Sequence, residues 1–277
     1  MRLENDFSKT KNIEFDLLLE GIYQQYGYDF RKYARSSLMR RIEICLEKEN
    51  LKTISGLLEK ILHDPKSMSI VLDHMTINVS GFFRDPKFFA FFRQRIVPIL
   101  KTYPFIRIWF AGCSSGEEVY SFAILLHEED IYKRCKLYAT DINMLGLKRA
   151  ERAIYQIGDI KKYTQNYIKA GGKKYFSDYY SAKYENVIFK DFLKKNMIFS
   201  HHNLVTDSSF NEFNLIICRN VMIYFNKDLK EQIHGLLYNS LCNFGILGLG
   251  DKESLEFSFY KDKYEQLDNR EKIYRKK

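Results

Sequence analysis

The chain has 277 residues, 45% hydrophobic and 16% aromatic, enough for one large domain or two modest ones with real cores and too apolar for a disordered chain. No window reaches the roughly 18 uninterrupted apolar residues of a membrane span, and the opening MRLENDFSKTKN has no apolar signal-peptide segment. The formal charge of +9 admits nucleic acid, an acidic protein surface or an anionic membrane as partner, and five scattered cysteines without C-x-x-C spacing read as reduced cytosolic thiols, with no metal site expected.

Up to about Asn78 the apolar spacing is helical: Phe15, Leu18, Leu19, Ile22, then Leu38, Ile42, Leu46, then Leu57, Leu58, Ile61, Leu62. Three to five short helices are expected there, with no strand. Residues 1–85 balance 13 Lys/Arg against 13 Asp/Glu, yet Arg31, Lys32, Arg35, Arg40 and Arg41 occur with no acid between Phe30 and Ile42. A solvated helix face is the plain explanation and a docking surface the sharper one. On a helix, Arg31 and Arg35 would share a face with Lys32 beside them. Asp64-Pro65 punctuates, since aspartate caps helices and proline suits the first turn. Asp85-Pro86 repeats the pattern and opens an aromatic-rich helix, KFFAFFRQRIVPIL.

After Pro104 short apolar runs alternate with helical stretches. Ile106–Ala111, Leu137–Thr140, Met197–Ser200, Phe213–Cys218 and Ile246–Leu249 are strand candidates; helices are expected at Glu117–Glu128, Met144–Ala153 and Lys227–Asn243. The alternation predicts an α/β domain with a mostly parallel sheet and helices on both faces. The expected division is a helical domain over 1–80 and a Rossmann-like domain over 81–277. Ligands in such sheets lie beyond the carboxyl ends of the strands. The unusual polar residues fall there: Gly112 with Glu117 and Glu118, Thr140-Asp141, His201-His202-Asn203, and Arg219-Asn220. Each also has a local explanation. Asp141 could cap the next helix, and Glu117 could complement a helix dipole. Adjacent His201 and His202 point to opposite faces of extended chain and make a poor metal pair.

The stretch Gly112-Cys113-Ser114-Ser115-Gly116 fits both G-x-S-x-G, the nucleophile elbow of hydrolases, and a Gly-rich cradle for a nucleotide-like cofactor. A hydrolase needs an acid and then a histidine after the serine. His127 and His234 fall inside expected helices, and no histidine follows the last strand. A cradle needs an acid at the end of the second strand to accept ribose hydroxyls, and Asp141 fills that role. The cradle reading is preferred, with Ser114 as loop filler.

Four motifs, TINVSGFFRDP (76–86), AGCSSGEEVYS (111–121), ATDIN (139–143) and ICRNVMIYF (217–225), together with the ending KESL…EKIYRK, resemble the chemotaxis-receptor glutamate O-methyltransferases, the CheR family. The resemblance covers essentially the whole chain. It implies S-adenosylmethionine as cofactor, S-adenosylhomocysteine as product, and a receptor glutamate as methyl acceptor. It carries cofactor contacts to Asn78, Ser80, Arg84, Glu117, Asp141, Asn203, Leu204, Arg219 and Asn220, beside Gly112 of the cradle turn. The family's Gly-His-Ser-Glu histidine is missing from Gly250-Asp251-Lys252-Glu253-Ser254. Arg84, Asn220 and Tyr224 are the candidates for the catalytic centre; Asn220 and Tyr224 would orient the acceptor, or could equally be capping or core residues. A glutamate carboxylate is already ionised near neutral pH, its reference pKa being about 4.3, so the reaction needs no general base.

The resemblance also gives the basic run a partner, the acidic helices of receptor cytoplasmic domains, and implies a cytoplasmic monomer that is not membrane-inserted and binds no nucleic acid. Some family members carry a small β-rich insertion that grips a receptor tail; the corresponding KKYFSDYYSAKYENVIFKDFL is poor in glycine, so tethering is not expected. Two other classes remain: a methyltransferase acting on nucleic acid or another protein, and a non-catalytic cofactor-binding signalling module. An Asn-Pro-Pro-aromatic acceptor motif is absent.

Overall fold

Helical periodicity in the first quarter of the chain produces four helices among the described residues: α1 (Arg2–Tyr26), α2 (Arg35–Lys48), α3 (Ile54–His63) and α4 (Pro65–Met75). The computed structural model describes residues 2–76 and 80–277, with side chains from Lys9 onward. Of the positions the spacing picked out, Phe15, Leu18, Leu19, Ile22, Leu38, Ile42, Leu57 and Ile61 are buried, Leu46 and Leu58 are half-buried, and Leu62 is exposed at the edge of the apolar stripe. The Asp64 side chain caps α4 by accepting from the Lys66 N–H at 3.1 Å, with Pro65 in the first turn. At 25 residues α1 is longer than the short helices expected. These helices form one compact unit, Met1–Ile77 with Tyr224–Gln232. The later segment joins through an isolated bridge between Tyr33 and Phe225, and the Ala34 N–H donates to the Tyr224 carbonyl at 2.7 Å.

The second unit comprises Asn78–Ile223 and Ile233–Lys277. It opens with α5 (Pro86–Phe91) and α6 (Val97–Leu100), joined by a π-helical turn over Phe92–Ile96. Pro98 has no N–H to donate back along the helix, which accounts for the loosened ladder just before it. Then follow β1 (Ile106–Ala111), α7 (Glu117–Glu128), β2 (Cys135–Asp141), α8 (Met144–Arg152), β3 (Ile154–Gln156), α9 (Ile160–Lys169), β4 (Tyr180–Lys183), β5 (Asn186–Phe189), β6 (Met197–His201), β7 (Phe213–Cys218), α10 (Lys227–Ser240), β8 (Leu241–Leu249), β9 (Tyr264–Asp268) and β10 (Ile273–Lys276). The main sheet runs β6-β2-β1-β7-β8-β10-β9. Its first five strands pair in parallel, and β10 runs antiparallel between β8 and β9. The mostly parallel sheet expected from the alternating pattern is therefore present. The helix expected to reach Asn243 stops at Ser240, where β8 begins without a break.

A second, three-stranded antiparallel sheet, β3-β5-β4, was not anticipated. Its β4–β5 hairpin lies in the glycine-poor stretch 173–193, while β3 precedes it. The hairpin between β4 and β5 turns instead on Tyr184, whose φ is 53°, so a non-glycine residue takes the left-handed conformation there. This small sheet has an aromatic core: Phe189 stacks on Phe82 at 4.5 Å, and Tyr155 and Phe176 pack edge-on against the same ring.

Candidate active site

The site of the second unit is built on the carboxyl ends of β2, β1 and β7, three neighbours in the main sheet. At the end of β1 the chain turns through Gly112 and Gly116, with φ of 81° and 90°. A Cβ on Gly116 would lie 2.7 Å from that of Ala150 on α8, so this turn can pack closely only with glycine. Ser114 also has a positive φ, 51°, and its backbone N–H donates to Oδ2 of Asp141 at 2.8 Å. The Ser115 carbonyl accepts the Tyr155 hydroxyl at 2.8 Å, which ties the small sheet to the turn.

Asp141 uses its other oxygen on the Asn143 N–H, also at 2.8 Å. It is not the cap of α8. That work falls to Asn143, whose side chain accepts from Leu145 and Gly146. Burial pushes the Asp141 carboxyl above its ordinary value, while backbone N–H donors and nearby His201 pull the other way. Its backbone carbonyl accepts the His202 N–H at 3.1 Å, bringing the segment after β6 alongside. There Asn203 and Leu204 are buried, and the Asn203 side chain accepts from the Val205 N–H. His202, just past the end of β6, is buried against Trp109, while His201 is exposed.

Glu117 opens α7 and is 7% exposed. The Ser115 hydroxyl donates to it at 2.8 Å, and the Ser80 side chain hydrogen-bonds to it as well. Burial again dominates and raises its pKa. Ser121 on the same helix accepts the Phe83 N–H at 2.9 Å, which holds the turn carrying Arg84 and Asp85 against α7.

Arg219, at the end of β7, is buried and reaches in two directions. Nη2 donates to Asp85 at 2.7 Å and Nη1 to Glu118 at 2.5 Å, and the guanidinium lies 4.0 Å over the Phe88 ring. Its Nε is buried with no hydrogen-bond partner among the described residues. Asp85 makes no side-chain bond to the helix it precedes and sits at φ 58°. The Asp-Pro pair thus marks a helix start as expected, but the carboxylate serves Arg219 rather than the helix.

Next to Arg219, Asn220 is left-handed at φ 60°. The turn it begins is held by a residue the sequence reading passed over. The Glu253 carboxylate accepts the backbone N–H groups of Asn220, Val221 and Met222 at 2.7–2.9 Å, and that of Gly250 at 2.7 Å. The sequence signal was present, since Glu253 keeps the last position of the Gly-His-Ser-Glu pattern whose histidine is lost.

Of the expected site residues, the second unit brings together Ser80, Gly112, Glu117, Asp141, Asn203, Leu204, Arg219 and Asn220 around these strand ends, with Arg84 on the turn docked to α7. Asn78 lies outside the described residues. Tyr224 belongs to the helical unit, where the Arg41 guanidinium lies 5.7 Å over its ring. The buried thiols of Cys113 and Cys218 are pushed well up by desolvation, so neither is a ready nucleophile.

The basic run corrects one expectation. Arg31 and Lys32 lie in a turn and α2 begins only at Arg35, so Arg31 and Arg35 do not share a helix face. Each is paired to acids on or just after α1, Arg31 to Glu20 and Asp29, Arg35 to Asp16. Arg41 donates to the carbonyls of His74 and Thr76. Lys32 and Arg40 are exposed. Acids close in space thus compensate Arg31 and Arg35, two of the five.

Residues 13–76 match the family described as CheR methyltransferase, all-alpha domain, and residues 78–273 match CheR methyltransferase, SAM binding domain. The chain is 48% identical to the Cher3 protein of Pseudomonas putida, covering 97% of this chain and 98% of that one. It is 29% identical to a chemotaxis protein methyltransferase of Borreliella burgdorferi, over 91% and 93% of the two chains. With one from Listeria innocua the identity is 28%, over 84% and 87%.

Proposed function

The chain belongs to the CheR methyltransferase family and is a methyltransferase that uses S-adenosylmethionine, and on that premise we propose that it methylates glutamate side chains on the cytoplasmic domains of chemotaxis receptors. The observation that carries the reading is the adjacency of β2, β1 and β7, which sets Asp141, Glu117 and Arg219-Asn220 along one sheet edge. The donor set fits the cofactor. A strand-end carboxylate suits a pair of ribose hydroxyls, and the orphaned Nε of Arg219 is a buried donor suited to an anionic group. Asp141, Glu117, Ser80, Arg84, Asn203, Leu204 and Arg219 would hold the cofactor, with Asn78 from the adjoining segment.

The bound cofactor supplies a methyl group on a positively charged sulfur. An acceptor carboxylate is already anionic at neutral pH, so the protein needs to move no proton. Its task is alignment, which in well-oriented systems reaches effective molarities of about 10⁵–10⁸ M. Asn220, which follows the end of β7, is our candidate for orienting the acceptor. Lys32 and Arg40, exposed in the helical unit, are the candidates for steering an acidic receptor helix. We place the reaction in the cytoplasm, carried out by a monomer; among the described residues no helix is long and apolar enough to cross a membrane.

The test is incubation with methyl-labelled cofactor and receptor cytoplasmic fragments. Base-labile label on glutamate is the expected result. Label on nucleic acid, or none on the fragments, would overturn the reading.

A further inference from the structure

Glu253 is 4% exposed, and its carboxylate is hydrogen-bonded to backbone N–H groups. Its Oε2 accepts from Gly250 at 2.7 Å and Asn220 at 2.9 Å; its Oε1 accepts from Val221 at 2.9 Å and Met222 at 2.7 Å. An ionised carboxylate has about four acceptor sites, so a single side chain is saturated by four backbone donors. Three of those donors are consecutive. A run of N–H groups converging on one carboxylate fixes the path of the turn rather than simply closing it. At its head stands Asn220, in the left-handed conformation that asparagine adopts more readily than other non-glycine residues.

Gly250 completes the arrangement. A Cβ there would lie 2.8 Å from the Asn220 nitrogen, 2.9 Å from its side-chain Nδ2 and 2.7 Å from the Glu253 carboxylate. The Asn220 amide is therefore seated against the bare backbone of residue 250, with Glu253 holding both sides. None of these contacts leaves Glu253 free to meet a substrate.

We propose that Glu253 is a positioning residue for methyl transfer: by clamping residues 220–222 it aims Asn220 at the acceptor. This deepens the methyltransferase reading above and rests on it. In Glu253→Gln the carboxamide turns an N–H donor toward one of the two N–H pairs, so the clamp is half lost while shape is kept. Gly250→Ala disturbs the same clamp from the opposite side without touching its charge. Glu253→Asp keeps both oxygens at shorter reach.

Turnover of receptor fragments is measured per cofactor-binding site, the sites being counted by calorimetry with S-adenosylhomocysteine. Amide exchange of residues 220–222 is followed in parallel. Because displacements near 1 Å can cost up to about a hundredfold, kcat per site should drop about tenfold or more in Glu253→Gln and Gly250→Ala, with faster exchange at 220–222 and partial recovery in Glu253→Asp. Parental kcat per site in Glu253→Gln overturns the proposal. So does a loss of activity fully matched by a loss of cofactor-binding sites, which is what a purely structural role would give. A parent enzyme that labels no receptor fragment overturns instead the function reading, and with it the role assigned to the clamp.

Discussion

Nη2 of Arg219 stands 2.7 Å from Oδ2 of Asp85, joining the end of β7 to the turn that opens α5. Asp85 occupies the position of a helix cap and does not cap; its carboxylate goes to an arginine 134 residues away. Forgoing a cap costs about 1 kcal/mol, so the ion pair at the strand end takes precedence over local helix stability.

Arg219→Ala should accordingly leave two carboxylates, Asp85 and Glu118, without their shared cation. Removing one member of a fully buried pair costs about 3–5 kcal/mol. The Asp85 side chain is 42% exposed, so solvent screening lowers the expectation to roughly 1–3 kcal/mol in urea denaturation. Arg219→Lys keeps charge but not the fork that spans both acids, and should recover little of the loss. Calorimetry should show weaker cofactor binding in both variants.

Asp141→Ala should reduce cofactor affinity well over tenfold, since hydrogen bonds to a charged acceptor are worth about 1.5–3 kcal/mol each. The structure adds a pH dependence. Burial raises the Asp141 carboxyl above the ordinary aspartate value, so on acidification it protonates earlier than a free one. Affinity supported by the ionised form is full above that raised value and lost as pH falls through it. Stability runs the other way: a carboxyl raised by folding favours the folded state at low pH and loses that contribution as pH rises from its ordinary to its raised value. Acidification should weaken binding without a matching loss of fold from this group, and Asp141→Asn should flatten the profile. A parent affinity constant from neutral pH down to the ordinary aspartate range would rule this out.

Ser114→Ala should keep activity within a few fold. What Ser114 contributes at Asp141 is its backbone N–H, which alanine retains. Covalent capture of Ser114 by a fluorophosphonate probe would contradict the cradle reading.

For the docking face, Lys32→Glu with Arg40→Glu is the informative pair, because Arg31 and Arg35 already hold acids of their own unit. The double variant should raise KM for receptor fragments and lose most of the parent's salt dependence, while S-adenosylhomocysteine affinity stays unchanged. Equal KM at low salt would make the run an ordinary solvated surface.

Periodicity and turn chemistry made much of this protein legible before any coordinates. Phe213–Cys218 and Glu117–Glu128 were read to the residue, because apolar alternation and capping are properties of a few neighbouring positions. The rule that ligands sit beyond strand ends picked out Asp141, Glu117 and Arg219 for the same reason. The small sheet escaped because its hairpin bends at Tyr184 without the glycine that usually announces such a turn. Long-range partners escaped for a deeper one. Nothing local distinguishes Asp85 from a cap or Glu253 from a loop carboxylate. The charge of Arg35 looked uncompensated because its acid, Asp16, lies on another helix, whereas Arg31 is held mainly by Asp29, just outside the basic run. Hydrogen-bond partners 31–134 residues apart are chosen by which strands and helices the crossovers bring side by side, so a one-dimensional pattern can nominate a polar residue but cannot say what it will hold.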